Sequence, residues 1–416
     1  MACNGTVHEP AVQRIRGRDL STKLFIEKCA AAARPVLLLD LVPSWPAYSE
    51  WRRPNGEPNF AKLTEDFQGV TGPVVDCGHG YDIQSWDVGD YFRWAAHASH
   101  EGDALYLKDW HLVNACRSLG LQVPYEAPSY LAAPVHDWLN LYMDKATSKD
   151  DYRFAYVGVA GTRTPLHHDV LFSHSWSANI CGRKHWIFYP PEVSHKLLDS
   201  LGNTAESAQP QRRTSDWQQH FPGLQEAWER RLEAFQEEGE LMFVPSGWYH
   251  EVENLTMTIS INHNWLNASN APQVWHFLRS EWQSVREKIG DLQDTFDSEA
   301  DFLEQCQVLM RANCGLDISG WLELLTGAAE EAMRLRADNP VGDDLWVLEW
   351  VEERLGAVSE SSLADTAASA TQHSRKAQPV PLAAEAEIYS QSGACAQMTF
   401  CLGNASFCKQ GLGWNR

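Results

Sequence analysis

Ten cysteines are spread through the 416 residues without one CxxC pair. Neither a zinc knuckle nor a disulfide framework is therefore indicated, and the thiols are expected to be mostly reduced. Positive charge is scarce: 34 Lys and Arg stand against 55 Asp and Glu, a formal charge of −21. That balance argues against broad binding to phosphate backbones, so no direct nucleic-acid partner is expected and a basic protein segment is the easier one. No apolar run approaches the ~18 residues of a membrane span, and the first thirty residues lack the order of a signal peptide. A soluble, cytoplasmic protein without a membrane partner is the expectation. Also missing are an internal repeat, a basic nuclear-targeting run and a zinc-bound reader module.

The hydrophobic content is 44%, enough for at least one large core. From about residue 35 to 270, short runs rich in Trp, Tyr, Phe and Val are broken by Pro and Gly, the pattern of an all-β core with loops and a few helices. The clearest strands are FAYVGV (154–159), SWSANICGRKHWIFYPP (175–191), GELMFVPSGWYHEVENL (239–255) and TMTISINHNW (256–265). Between them, Glu192 to Glu238 reads as a polar, helix-compatible excursion. From 271 to 356 the pattern changes to VWHFLRSEWQSVREKI and WLELLTGAAEEAMRLRA, whose apolar residues recur three and four apart. A C-terminal helical appendage is predicted there, after a lead-in over 1–34 and the core over 35–270. Residues 357–416 are Ser- and Ala-rich without an apolar period, the composition of a disordered tail.

In TPLHHDV (164–170), side chains two apart share a strand face, so His167 and Asp169 point together and His168 away. A nitrogen and a carboxylate oxygen aimed at one point suit a divalent first-row metal, though a lone HxD usually marks only a polar strand. His250 in PSGWYHEV is the candidate third ligand; its competing reading is a core histidine beside Trp248. Two His and one Asp would leave three coordination positions open, as iron(II) needs for a bidentate 2-oxo acid and O2. Downstream, Gly182-Arg183 reads as a two-residue hairpin turn, with Cys181 facing Lys184, Asn179 facing Trp186 and Ser177 facing Phe188. Lys184 then either points into the barrel, where it needs an anion, or protrudes into solvent.

TPLHHD, CGRKHWIFYPP and GELMFVPSGWYHEVENL with TISINHNW together resemble the jumonji C domain of the Fe(II)- and 2-oxoglutarate-dependent oxygenases. The resemblance is detailed from Tyr152 to Trp265 and looser from Ala104 to Asp151. It implies an α+β protein built on a double-stranded β-helix, or cupin barrel. It further implies that His167, Asp169 and His250 bind iron, that Thr164, Lys184 and Tyr106 hold 2-oxoglutarate, and that Asn264 and Ser177 line the same pocket. O2 is the second co-substrate and ascorbate the expected reductant. DCGHGYD, LYLKDWHL, DDYRF and SWSANICGRKHW add similarity to a subgroup regarded as lysyl hydroxylases of the eukaryotic translation termination factor. That resemblance implies carbon hydroxylation of a protein lysine. An N-methyl-lysine demethylase and a non-catalytic cupin scaffold are the alternatives. Lys108, Asp109 and Trp110 either form part of the substrate wall or serve packing and one surface ion pair.

Overall fold

The computed structural model describes residues 12–98, 104–132, 136–146, 151–338 and Gly356; the tail expected to be disordered, 357–416, lies outside them. Packing divides the chain into two units. The first, Met1–Pro128 with Ser148–Asp169 and Ser173–Asn264, carries the β core. Its strands are β1 Gln13–Arg16, β2 Val36–Leu39, β3 Thr71–Asp76, β4 Asp82–Asp87, β5 Leu105–His111, β6 Arg153–Gly158 and β7 Arg163–His167. They continue as β8 His174–Cys181, β9 Lys184–Tyr189, β10 Leu232–Gln236, β11 Leu241–Val244, β12 Tyr249–Asn254 and β13 Thr258–Trp265.

These strands form two sheets. One runs β1-β2-β11-β8-β13-β6-β5-β3-β4, and the other β10-β9-β12-β7. Following the chain, β6, β8, β11 and β13 fall in the large sheet while β7, β9 and β12 fall in the small one. This alternation from sheet to sheet is the winding of a double-stranded β-helix, as the resemblance implies. Pro190 and Pro191 end β9, because neither can donate to a ladder. Trp186, Phe188, Met242, Val244, Trp248 and Val252, from both sheets and the turn before β12, share one buried cluster with Leu37. Each such burial contributes about 1.5–3 kcal/mol.

Two expectations are corrected. Gly182-Arg183 is not a hairpin: β8 pairs with β11, and β9 pairs with β10 and β12. The corner carries the chain from one sheet to the other. Its backbone bonds go to a neighbouring corner, with Arg183 N–H donating to Thr256 Oγ1 at 2.9 Å and Leu255 N–H to Arg183 O at 2.9 Å. Gly182 is required there, since its φ is +77° and a Cβ would lie 2.1 Å from Met257 O. The Glu192–Glu238 excursion, read as helix-compatible, does hold short helices at Pro191–Leu197, Trp217–His220 and Leu224–Glu229. It ends, however, in β10, whose Ala234 and Gln236 pair with Trp186 and Lys184. Tertiary pairing with β9 overrides the polar local pattern.

The second unit, Ser129–Thr147 with Val170–Phe172 and Trp265–Arg416, is helical where described. In Ala271–Lys288, Pro272 sits in the first turn and Val274, Trp275, Leu278, Trp282 and Val285 form the buried stripe. Glu299–Cys314 is capped by Ser298, whose Oγ accepts from Asp301 N–H at 3.2 Å, and closed by Gly315 at φ +85°. Ile318–Asp338 packs on Trp138–Lys145, and Trp321 stacks on Trp275 at 6.2 Å between ring centroids. These are the C-terminal helices expected from the three-and-four spacing. Among the described residues no helix is long and apolar enough to cross a membrane, and the described cysteines are free thiols.

Candidate metal centre

His167 closes β7 and His250 lies directly across the ladder from it on β12. Cross-strand neighbours bring their side chains together, and the two imidazole centroids are 4.2 Å apart. Gly247, at φ +82°, makes the turn that starts β12 in this position. Asp169 follows just beyond β7. One ligand atom from each of His167, Asp169 and His250 lies within 4.8 Å of the others. His168 faces the other way, edge-on to Tyr249 at 5.1 Å.

Each part of this cluster is held in a ligating form. His167 Nδ1 donates to Pro165 O at 2.8 Å and His250 Nδ1 to Trp248 O at 3.1 Å. A carbonyl accepts only an N–H, so both imidazoles keep their lone pair on Nε2. Burial, with the neighbouring His250 and Lys108 adding to it, pushes the His167 pKa well below its ordinary value, which keeps the ring neutral. The Asp169 carboxylate accepts from Ser175 Oγ at 2.8 Å and from Asn264 Nδ2 at 3.0 Å. Asn264, which the resemblance puts in the co-substrate pocket, thus acts on the metal-facing aspartate, and its amide also reaches Ser173 Oγ at 3.3 Å.

Lys184 points inward and is 2% exposed, which decides between the two directions open to it. Its facing follows from β9 pairing with β12 and not from the expected hairpin. Among the described residues its hydrogen-bond partner is the neutral Ser260 Oγ at 2.7 Å, and no carboxylate pairs with it. Burial pulls its pKa from 10.5 to about 7. A buried ammonium with one neutral partner is a cost that an anion would relieve.

Around Lys184 lie the other expected residues. Tyr106 is 2% exposed, and its burial raises the phenol pKa. Asn254 sits opposite Lys184 in the β9–β12 register. Ser177 Oγ donates to Asn262 Oδ1 at 3.1 Å, so this serine is tied to β13. Of the two readings open to Trp110 it takes the packing one: it is 2% exposed and packs against Phe67 at 4.8 Å and Phe92 at 6.1 Å. Residues the sequence reading missed are Ser175, Ser260, Asn262, Asn254 and Tyr156. A usable signal existed for three of them. Ser175 and Ser177 on β8, and Ser260, Asn262 and Asn264 on β13, are polar at period two on strands whose alternate positions are apolar but for His174 and His263.

Alternating strands around two imidazoles, one carboxylate and a buried lysine define a cupin oxygenase site, and the Cupin-like domain family matches residues 100–271. The chain belongs to the jumonji C family of 2-oxoglutarate- and iron-dependent oxygenases. It is 38% identical over 313 residues to the 2-oxoglutarate and iron-dependent oxygenase JMJD4 of Danio rerio, covering 72% of this chain and 70% of that protein. It is 37% identical over 301 residues to human JMJD4, covering 70% and 68%. A further relative, the Arginine-specific demethylase JMJ20 of Arabidopsis thaliana, is 37% identical over 329 residues, covering 74% and 68%.

Proposed function

We propose that this oxygenase hydroxylates a carbon of a lysine side chain in a protein, and that its target is the eukaryotic translation termination factor. The observation that carries the reading is the buried Lys184, which faces inward with a neutral partner in the same barrel as the His-Asp-His cluster. In this reading His167, Asp169 and His250 hold iron(II). Lys184, with Thr164 and Tyr106, receives the distal carboxylate of 2-oxoglutarate. Iron with 2-oxoglutarate and O2 supplies the oxidant for an unactivated C–H bond, yielding succinate and CO2. The chain's own work is then binding and orientation. Asn264 and Ser175 fix the Asp169 carboxylate, the Nδ1 bonds fix both imidazoles, and the barrel wall keeps bulk water from the lysine. Residues 35–270 are the catalytic domain in this reading and 271–356 a helical region. Termination on cytosolic ribosomes would make the cytosol the compartment of the reaction.

The test is incubation of the full chain with Fe(II), ascorbate, 2-oxoglutarate and the termination factor, followed by mass spectrometry. A gain of about 16 daltons on a lysine, the mass of one inserted oxygen, is expected. The name of the Arabidopsis relative motivates a second reading, oxidation of an N-methyl group on arginine. Release of formaldehyde from methyl-arginine peptides, with unchanged mass on every lysine of the termination factor, would replace the first reading by the second.

A further inference from the structure

The β5–β6 ladder loses its register between Leu107 and Trp110, and Lys108 and Asp109 occupy the irregularity. Asp109 has φ +58°, left-handed for a residue with a side chain. A bulge of this kind re-aims a side chain, and such departures cluster at functional sites. Here the re-aimed group is a carboxylate. Its Oδ1 accepts from the Tyr156 hydroxyl at 2.5 Å, and its Oδ2 lies 3.0 Å from Lys108 Nζ. The Asp109 side chain is still 49% exposed.

Tyr156 connects this carboxylate to the site. Its ring lies 5.9 Å from Lys184 Nζ and 6.0 Å from the Tyr106 ring. Burial raises the Tyr156 phenol pKa, and the charges of Asp109 and Asp169 both push it the same way. Asp109 therefore stands half-exposed, one aromatic ring from the co-substrate lysine. The ion pair that occupies its Oδ2 joins sequence neighbours, one of them half-exposed, and pairs of that kind are worth about 0–1 kcal/mol. A better-placed cation can take the position of Lys108 at little cost.

We propose that Asp109, oriented by Tyr156, is the recognition residue that receives the cationic end of the substrate side chain, an ammonium or a guanidinium. The inference rests on the reading of the site as an oxygenase of protein side chains, and it deepens that reading by assigning the basic class of side chain to one carboxylate. It requires the substrate cation to displace Lys108 from Oδ2 while Oδ1 stays on the tyrosine hydroxyl.

The experiment uses the full chain loaded with Mn(II) and 2-oxoglutarate, so that binding is read without turnover. Four peptide pools with random flanks carry a central lysine, arginine, norleucine or glutamate, and the retained peptide is quantified. The wild type should retain a cation-centred pool about tenfold or more above the norleucine pool, the factor set by one charge-assisted contact. In Asp109→Asn, which keeps an acceptor for Tyr156 but loses the charge, that preference should vanish with metal and 2-oxoglutarate content as in the wild type. Asp109→Lys should turn the preference toward the glutamate pool, and Tyr156→Phe should reduce it. Retention of neither the lysine nor the arginine pool above the norleucine pool by the wild type overturns the proposal. So does a cation preference that survives in Asp109→Asn. A lysine oxidised in the termination factor beside such a result would leave the hydroxylase standing with recognition elsewhere. Preserved cation selectivity without that oxidation would instead leave Asp109 standing and remove the target.

Discussion

The two faces of the small sheet each bury a charge, and they treat it in opposite ways. On the outer face, Glu251 is 3% exposed and accepts from Tyr189 Oη at 2.8 Å, Ser207 Oγ at 2.5 Å, Ala208 N–H at 3.0 Å and Gln209 Nε2 at 2.9 Å. On the inner face, Lys184 is as deeply buried and donates to Ser260. Folding has satisfied the first charge from the protein itself, using the Ser207–Gln209 segment of the excursion as a cover. The second has three N–H donors and one partner among the described residues. Buried polar groups in native proteins are paired, and in the proposed reading the distal carboxylate of 2-oxoglutarate makes up this shortfall. In the proposed reading the same strand pair thus carries a structural charge and a binding charge, and exposure alone does not tell them apart.

The largest expected effect lies on the inner face. His167→Ala should abolish both metal binding and 2-oxoglutarate turnover, whereas His168→Ala, on the side of Tyr249, should keep both. Iron stoichiometry and succinate production, measured side by side on folded protein, check it. If His168→Ala is the dead variant, the inner and outer assignments of this segment are reversed. On the outer face the effect should appear in stability. Glu251→Ala leaves the donors of Tyr189, Ser207, Ala208 and Gln209 without their acceptor, a loss of about 2–4 kcal/mol. Denaturant unfolding of the metal-free chain reads it. Unchanged stability would mean that water replaces the carboxylate and that the cover is not anchored there.

How much of this was legible follows from the range of each signal. The HxD pair, PSGWYH and the aromatic strand runs are local patterns, and the strands and the three converging side chains follow from them. Pairing partners are not local. Gly182-Arg183 has the composition of a hairpin turn, yet its backbone bonds are taken by the corner at Leu255–Met257, so strand order could not be read from the dipeptide. β10 was hidden for the same reason: its strand character comes from β9 beside it. Tyr156 and Asn254 sit in strands whose spacing marks neither as special. Asp109 owes its direction to a bulge that only the β5–β6 register reveals. Trp110, its neighbour, turns into the core through that same irregularity.

Lys184→Met sharpens the comparison further, because it removes a charge that the fold does not satisfy. Stability should stay level or rise, in contrast to Glu251→Ala, since an apolar side chain of similar length relieves the burial cost. The 2-oxoglutarate concentration needed for half-saturation should rise about 10- to 100-fold, the worth of one charge-assisted contact of ~1.5–3 kcal/mol. Titration calorimetry on the Mn(II)-loaded chain measures it. An unchanged affinity would remove Lys184 from the co-substrate pocket.

The smallest effect is a pH dependence with two opposite signs. Burial lowers the Lys184 pKa from 10.5 to about 7 in the co-substrate-free protein, so the folded chain holds the ammonium below pH 7 and the neutral amine above it. The unfolded chain keeps its proton up to about pH 10.4. Between these limits the unfolded state binds more protons, and the stability of the co-substrate-free protein should rise with pH across that window. 2-Oxoglutarate, doubly negative throughout, prefers the ammonium and should raise the Lys184 pKa when it binds. Its affinity should therefore be greatest below pH 7 and fall above it, by up to about tenfold per pH unit, until the pKa of the complex is passed. Stability and affinity measured from pH 6.5 to 9 on the wild type and Lys184→Met test the pair of signs together. The variant should flatten both curves, and a wild-type affinity that is level over this range would show that the lysine does not meet the dicarboxylate.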